Sequence, residues 1–174
     1  MARATFAAER AAKELLQAHN CGIPVDVKQL AKDLGCIVVE HDFENDNDVS
    51  GLLIREADKT IIAVNQANAE VRKRFTIAHE IGHLVMHPGR PLLVDASVRI
   101  NARTPTAGFA TEREETEANQ FAAALLMPTE EVRDRLKAAH GLSDSAIAKM
   151  ARKFGVSDSA MQFRLVNLGF HIPH

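Results

Sequence analysis

The segment Arg74-Phe-Thr-Ile-Ala-His-Glu-Ile-Gly-His-Leu-Val-Met-His87 contains the pattern that decides the fold, His79-Glu-Ile-Gly-His83. Apolar residues flank the pattern and Pro88-Gly89 follows it, so we predict a mostly buried helix over residues 69–86. Histidines four residues apart lie on one face of a helix, where both imidazoles can reach a single metal ion. Glu80 lies about 100° further round the axis, beside the ion, where a catalytic general base belongs. The pattern is the zinc-hydrolase signature H-E-x-x-H.

A zinc site of this kind needs a third protein ligand, and the sequence offers two regions for it. His87 continues the spacing of four, but it lies about 12 Å along the helix axis from His79, so one ion cannot bind both. A second helix, predicted over residues 112–126, has an apolar face whose continuation reaches Glu115. We therefore predict Glu115 as the third ligand. Two other acids of this helix remain alternatives: Glu114 and Glu117.

Two further side chains are predicted to support the metal ligands. Asn119 lies one turn after Glu115, where its side chain can accept a hydrogen bond from the outer nitrogen of a ligand histidine. His87 belongs to this supporting shell, to the wall of the pocket, or to a cap on the last turn of the helix before Pro88. The sequence thus predicts one zinc ion per chain with three ligands: His79, His83 and Glu115.

The rest of the chain predicts an α+β fold. Two N-terminal helices are expected, and three short strands follow them, at residues 36–40, 50–55 and 60–64. The last two strands form a hairpin within a small antiparallel sheet. An extended peptide substrate could add to either of them at a sheet edge. Residues 88–111, rich in proline and glycine, are a long connection of the kind that forms a lid or binding loop.

The C-terminal third is predicted to be helical. We divide the chain into a zinc metallopeptidase domain, residues 1–140, and a helix-turn-helix-like subdomain packed on it, residues 141–174. The second region has a small positive excess, and Gln162 and Arg164 are the few side chains that could contact bases. We therefore expect this region to pack on the peptidase domain and not to bind DNA.

Composition and charge narrow the class of function. With 21 Lys and Arg against 23 Asp and Glu, the chain lacks the basic excess that nucleic-acid or membrane binding needs. It has no apolar run of membrane-spanning length and no signal-peptide pattern, so we expect a cytoplasmic protein with reduced Cys21 and Cys36. The chain has no Tyr, which leaves the group that would stabilise a developing oxyanion to be chosen among His87, His140, His171 and the arginines of 88–111.

The two predicted site helices resemble the signature blocks of the ImmA/IrrE family of metallopeptidases. One block is Arg74–His87, and the other is Glu115-Thr-Glu-Ala-Asn-Gln-Phe-Ala-Ala-Ala-Leu-Leu-Met-Pro128. The resemblance covers nearly the whole chain. It implies a thermolysin-like core with a helical C-terminal subdomain, in which Glu80 is catalytic and the metal ligands are His79, His83 and Glu115.

The resemblance also implies a partner. The substrate of such an enzyme would be a helix-turn-helix transcriptional repressor, whose cleavage releases a stress-response or mobile-element programme. A second hypothesis remains: the chain is a non-catalytic or DNA-binding regulatory module that uses its C-terminal helix-turn-helix. Replacing Glu80 distinguishes the two, since only the enzyme depends on it.

Overall fold

A computed structural model describes residues 2–43, 50–56, 58–89, 92–94, 108–139 and 142–172. Within these residues the elements follow the order α1 (Ala2–Ala18), α2 (Val27–Asp33), β1 (Cys36–His41), β2 (Gly51–Arg55), β3 (Thr60–Asn65), α3 (Glu70–Met86), β4 (Leu92–Val94), β5 (Gly108–Phe109), α4 (Glu112–Leu126), α5 (Thr129–Ala139), α6 (Asp144–Phe154) and α7 (Asp158–Asn167). The predicted α+β class is confirmed. Most of the expected lid, residues 88–111, lies outside the described residues, as does His140.

The five described strands form one mixed sheet in the order β1-β3-β2-β4-β5. The predicted hairpin of β2 and β3 is present and antiparallel, with Leu53 opposite Ile62. β1, however, pairs with β3 in parallel, with Ile37 opposite Ile61. The prediction of an antiparallel sheet is therefore wrong. The reason is that β3 lies between β1 and β2 in the sheet. β3 is antiparallel to β2, its partner in the hairpin, and runs in the same direction as β1.

The position of β2 and β3 also changes how a peptide could bind. β3 lies between β1 and β2, and β2 lies between β3 and β4. Their backbone groups are therefore paired on both sides, and neither strand offers a free edge. The expectation that a substrate adds to one of these strands is wrong.

One face of the sheet packs on α3, the helix that contains the H-E-x-x-H pattern. Leu53 and Ile62 are fully buried in the same apolar cluster as Ile77 of α3. At Gly51 the strand and helix almost touch, because a Cβ there would lie 2.3 Å from Cγ2 of Thr76. A side chain at this position would push β2 away from the helix.

α4 packs against α3 in the opposite direction, with Asn119 beside His79 and Glu117 beside His87. Between these contacts, a Cβ on Gly82 would lie 3.1 Å from Cδ1 of Phe121. α4 therefore approaches α3 closely at Gly82. The two helices thus lie close enough for side chains from both to meet at one point.

The C-terminal helices are joined to the rest of the molecule by Arg164 of α7. Its side chain is only 4% exposed and forms an ion pair with Glu9 of α1. Its Nε donates to the carbonyl of Met127 at 2.9 Å. The suggestion that Arg164 could contact bases is wrong, because its guanidinium is buried inside the protein. The boundary at residue 140 stays a prediction, and apolar residues on both sides of it share one core cluster.

Two smaller observations concern the sequence expectations. Cys21 and Cys36 are both free thiols. In the described part of the chain, no helix combines the length and the apolar character needed to cross a bilayer.

Candidate metal centre

Three side chains of α3 are removed from solvent in the middle of the protein: His79, Glu80 and His83 are 3%, 0% and 1% exposed. Burying two imidazoles and a carboxylate is costly unless each has a partner. The start of α4 supplies the partner for the histidines. The third candidate ligand, Glu115, lies in the first turn of that helix.

The three acids considered for the third ligand have separate surroundings. Glu114 is part of a capping box, in which its carboxylate accepts from the backbone N–H of Thr111 at 2.7 Å. Glu117 lies against His87 and Arg113. Glu115 is the one whose carboxylate reaches the two histidines of the motif.

The donor atoms of His79, His83 and Glu115 converge on one point. Nε2 of His79 lies 3.0 Å from Nε2 of His83 and 3.3 Å from Oε2 of Glu115. Nε2 of His83 lies 3.4 Å from Oε1 of Glu115. Ligand atoms about 2 Å from a tetrahedral metal ion are separated by about 3.3 Å. The side chains of this cluster thus fit a tetrahedral metal ion with one position left open.

The electrostatics also favour metal binding. Burial lowers the pKa of His83, which keeps the imidazole neutral and its lone pair available, although Glu115 opposes this shift. For Glu115, burial raises the pKa, but hydrogen bonds and charges from His79 and His83 outweigh it and lower the pKa to about 2. Near neutral pH the cluster therefore offers a neutral imidazole and a carboxylate, the forms that bind a metal.

Each histidine of the cluster also has a contact at its outer nitrogen. Oδ1 of Asn119 lies 3.0 Å from Nδ1 of His79. Nδ1 of His83 lies 3.1 Å from Nδ1 of His87. With Nε2 facing the metal position, each ring carries its proton on Nδ1 and donates it outward. The supporting roles assigned to Asn119 and His87 stay predictions.

The contact at His87 continues to Glu117. Nε2 of His87 donates to Oε2 of Glu117 at 3.0 Å, and Arg113 binds the other oxygen of that carboxylate. His87 thus uses both ring nitrogens within this chain of contacts. It is therefore not available to donate to a developing oxyanion, and His171, which is exposed, remains among the described candidates.

Sequence reasoning missed two residues that shape the site. The guanidinium of Arg55 donates to the carbonyls of His83 and His87, at 3.0 and 3.2 Å, and so satisfies the C-terminal end of α3. Gly51 borders the site next to Glu80, since a Cβ at this position would lie 3.5 Å from Oε1 of Glu80. The one local signal that points to Gly51 is a glycine inside a predicted strand, which often marks a place where another part of the structure approaches the backbone closely.

A comparison of the sequence with models of known protein families agrees with a metal centre at this position. The model of the Peptidase M78 family, described as the IrrE N-terminal-like domain, matches residues 31–166. The chain belongs to this family. The match confirms the resemblance to the ImmA/IrrE family, and since M78 proteins are metallopeptidases, it implies a metal for which the His79, His83 and Glu115 cluster is suited.

Two curated relatives of this M78 chain carry the name radiation response metalloprotease IrrE. The protein of Deinococcus radiodurans is 32% identical over 63% of this chain, and the protein of Deinococcus deserti is 30% identical over 93% of it. These matches cover 32% and 54% of the relatives' lengths, so the M78 chain spans at most about half of each.

A solved structure shows the same fold. The M78 chain superposes on a Mycobacterium tuberculosis transcriptional regulator with a TM-score of 0.57 and 22% identity. The match covers 95% of this chain and 47% of the regulator.

Proposed function

We propose that this chain is a zinc-dependent endopeptidase that cleaves a helix-turn-helix transcriptional repressor in the cytoplasm and so releases a stress-response or mobile-element programme. The observation that carries the proposal is the convergence of His79, His83 and Glu115 beside the fully buried Glu80. Membership of the M78 family and the names of the Deinococcus relatives support it. A role in transcription also agrees with the name of the M. tuberculosis protein of similar fold, a transcriptional regulator.

The residues have distinct tasks in this proposal. When bound, zinc supplies Lewis-acid chemistry that activates a water molecule and polarises a peptide carbonyl. Glu80 accepts the proton of the attacking water on a carboxylate oxygen and later donates it to the leaving amine. Gly51 keeps the space beside that carboxylate free of a side chain. Asn119 and His87 hold the imidazoles of His79 and His83 in the orientation that binds the metal.

Two substitutions test the proposal. Glu80→Gln keeps the shape of the side chain and removes the base, so it should retain about one zinc per chain but lose cleavage. Glu115→Ala removes a ligand and should lose both zinc and cleavage. The measurements are metal content by mass spectrometry and cleavage of the helix-turn-helix repressor encoded nearest to the gene of this chain. Glu114→Gln is the matched control, since that acid caps α4 and should leave zinc content unchanged.

The alternative gives different results. A regulatory module without catalysis would control its partner equally well after Glu80→Gln, and the repressor would remain intact with the zinc-loaded protein. Unchanged zinc affinity in Glu115→Ala would exclude Glu115 as a ligand.

A further inference from the structure

A cavity of about 460 Å³ lies between the first half of α3, the second half of α4 and α7. Its walls are mostly apolar, and they include Val71, Phe75, Ala123, Met127, Ala160 and Phe163. Phe163 is 72% exposed and Val71 is 38% exposed. Large apolar side chains that remain exposed around one cavity are typical of a binding site.

The cavity lies beside the metal cluster, one helical turn away from it on both helices. On α3, Phe75 lies one turn before His79, and on α4, Asn119 lies one turn after Glu115. Asn119 lines the cavity and also contacts the ring of His79. One helical turn is about 5.4 Å long, while one residue of extended chain advances about 3.3 Å. Along the helix axes, the offset between the cluster and the cavity therefore corresponds to one or two residues of an extended peptide.

The charge around the cavity decides which side chain fits. Among the described residues that line it there are two arginines and no Asp or Glu. The charge of Arg164 is compensated by Glu9, whereas Arg72 is exposed and donates to Oγ of Ser50 at 2.7 Å. A cationic side chain would approach Arg72 without a carboxylate to offset the repulsion. An uncharged apolar side chain matches the walls.

We propose that this cavity binds a large apolar side chain of the polypeptide substrate, one or two residues from the scissile bond, and that Ala160 and Phe163 of α7 set its size. This inference rests on the proposed peptidase function. The sequence of α7 resembles the second helix of a helix-turn-helix. In this proposal α7 contacts a peptide and not DNA. The cavity then selects Leu, Met or Phe over Ala and excludes Lys and Arg.

The first test is the cleavage profile of a proteome-derived peptide library, measured by mass spectrometry with the zinc-loaded chain. We expect an enrichment of about tenfold or more for Leu, Met and Phe over Ala and Lys at one position near the cleaved bond. Ala160→Phe fills the cavity and should shift the preference to small residues. Phe163→Ala removes a wall and should weaken the preference. Val166→Phe is the matched control, because Val166 is on the same helix, exposed, and outside the cavity lining.

The second test does not depend on catalysis. N-acetyl-L-leucinamide and N-acetyl-L-lysinamide are titrated separately into Glu80→Gln protein with ¹³C-labelled methionine methyl groups. Met127 lines the cavity, so its resonance should shift with the leucine compound and not with the lysine compound. The shift should disappear in Ala160→Phe and remain in Val166→Phe.

The outcomes separate this inference from the proposed function. Cleavage without an apolar preference, or with a preference that neither Ala160→Phe nor Phe163→Ala changes, overturns the cavity assignment and leaves the peptidase intact. If no peptide of the library is cleaved, cleavage of the repressor decides the peptidase proposal and the titration decides the cavity. A leucine-selective shift at Met127 then supports an apolar side-chain site, and no shift, or an equal shift with the lysine compound, overturns it.

Discussion

His87 connects the proposed metal site to an acid on the neighbouring helix. Its Nδ1 lies 3.1 Å from Nδ1 of His83, and its Nε2 lies 3.0 Å from Glu117. We predict that His87→Phe lowers zinc affinity about 10- to 100-fold, because the ring of His83 loses the contact that orients it. The measurement is competition for zinc with a chelating dye.

Arg113→Ala is the control for this prediction. Arg113 contacts the other oxygen of Glu117, and its side chain is 82% exposed. Its removal should leave zinc affinity nearly unchanged, since the contact between Glu117 and His87 remains. Equal affinities in His87→Phe and the unmodified chain would show that His83 needs no support from His87.

How much of the site could be predicted differs from residue to residue. His79, Glu80 and His83 are evident from spacing within one helix, and the apolar face of α4 points to Glu115. Arg55 gives no such signal, because its partners lie 28 and 32 residues away and its role depends on where β2 ends relative to α3. Contacts between distant segments follow from tertiary packing, which local periodicity does not encode.

At the level of elements, strand β2 and helix α3 approach each other closely at Gly51. A Cβ there would lie 2.3 Å from Cγ2 of Thr76 and 3.0 Å from the carbonyl oxygen of Ala63. We predict that Gly51→Ala lowers the free energy of unfolding by about 1–3 kcal/mol, as overpacking does. Urea denaturation measures the change.

A second substitution tests the cause. Thr76→Ser removes the methyl group that a Cβ would meet, so Gly51→Ala combined with Thr76→Ser should regain part of the lost stability. Gly22→Ala is the control, because no atom lies within 4 Å of a Cβ at Gly22. If the double variant is no more stable than Gly51→Ala alone, the loss of stability does not come from a clash with the methyl group of Thr76.

Glu40 of β1 forms ion pairs with a lysine of α2 and a lysine of α3, and so links three elements. Lys73 of α3 donates to it at 2.7 Å and Lys28 of α2 at 2.9 Å. These hydrogen bonds lower the pKa of Glu40 from 4.5 to about 2. Because the pKa in the folded state is below the unfolded value, the stabilisation is present above pH 4.5 and is lost as the pH falls toward 2.

The test compares thermal midpoints of the unmodified chain and Glu40→Gln at neutral pH and near pH 2. The difference should be present at neutral pH and shrink in acid. Glu56→Gln changes an exposed pair with Lys59 and should show no such pH dependence. A difference that persists unchanged in acid would show that the carboxylate charge of Glu40 does not stabilise the fold.

The order of the strands in the sheet is a feature that local sequence patterns do not determine. The bounds of α3, α4 and the three predicted strands agree closely with the sequence, because caps and apolar periodicity are local, whereas β4 and β5 lie in the segment predicted as a long connection. The insertion of β3 between β1 and β2 is not local, and turn chemistry explains only the hairpin. This insertion is why the expected antiparallel sheet and the expected edge at β3 were wrong, and the edge expected at β2 was wrong because β4 pairs with it.

At the scale of the whole molecule, Arg164 ties the last helix to the first. Its guanidinium contacts Glu9, Thr129 and the carbonyl of Met127. We predict that Arg164→Met lowers the free energy of unfolding by about 2–3 kcal/mol, near the lower end for breaking a buried pair because Glu9 is partly exposed. Urea denaturation with far-UV circular dichroism measures it.

Gln162→Ala is the control, because Gln162 is an exposed side chain on the same helix. Its substitution should be nearly neutral. If Arg164→Met instead kept full stability and lost salt-dependent binding to duplex DNA, the C-terminal helices would be a DNA-binding module after all.

The proposed ligands come from two helices, and this has a consequence for folding. An ion held by His79 and His83 of α3 together with Glu115 of α4 acts as a cross-link that closes the chain between them. Because an unfolded chain lacks this arrangement, each increase in free zinc raises stability, by about 2.7 kcal/mol at one hundred times the dissociation constant. The melting temperature of the protein would then serve as a gauge of how much zinc its surroundings provide.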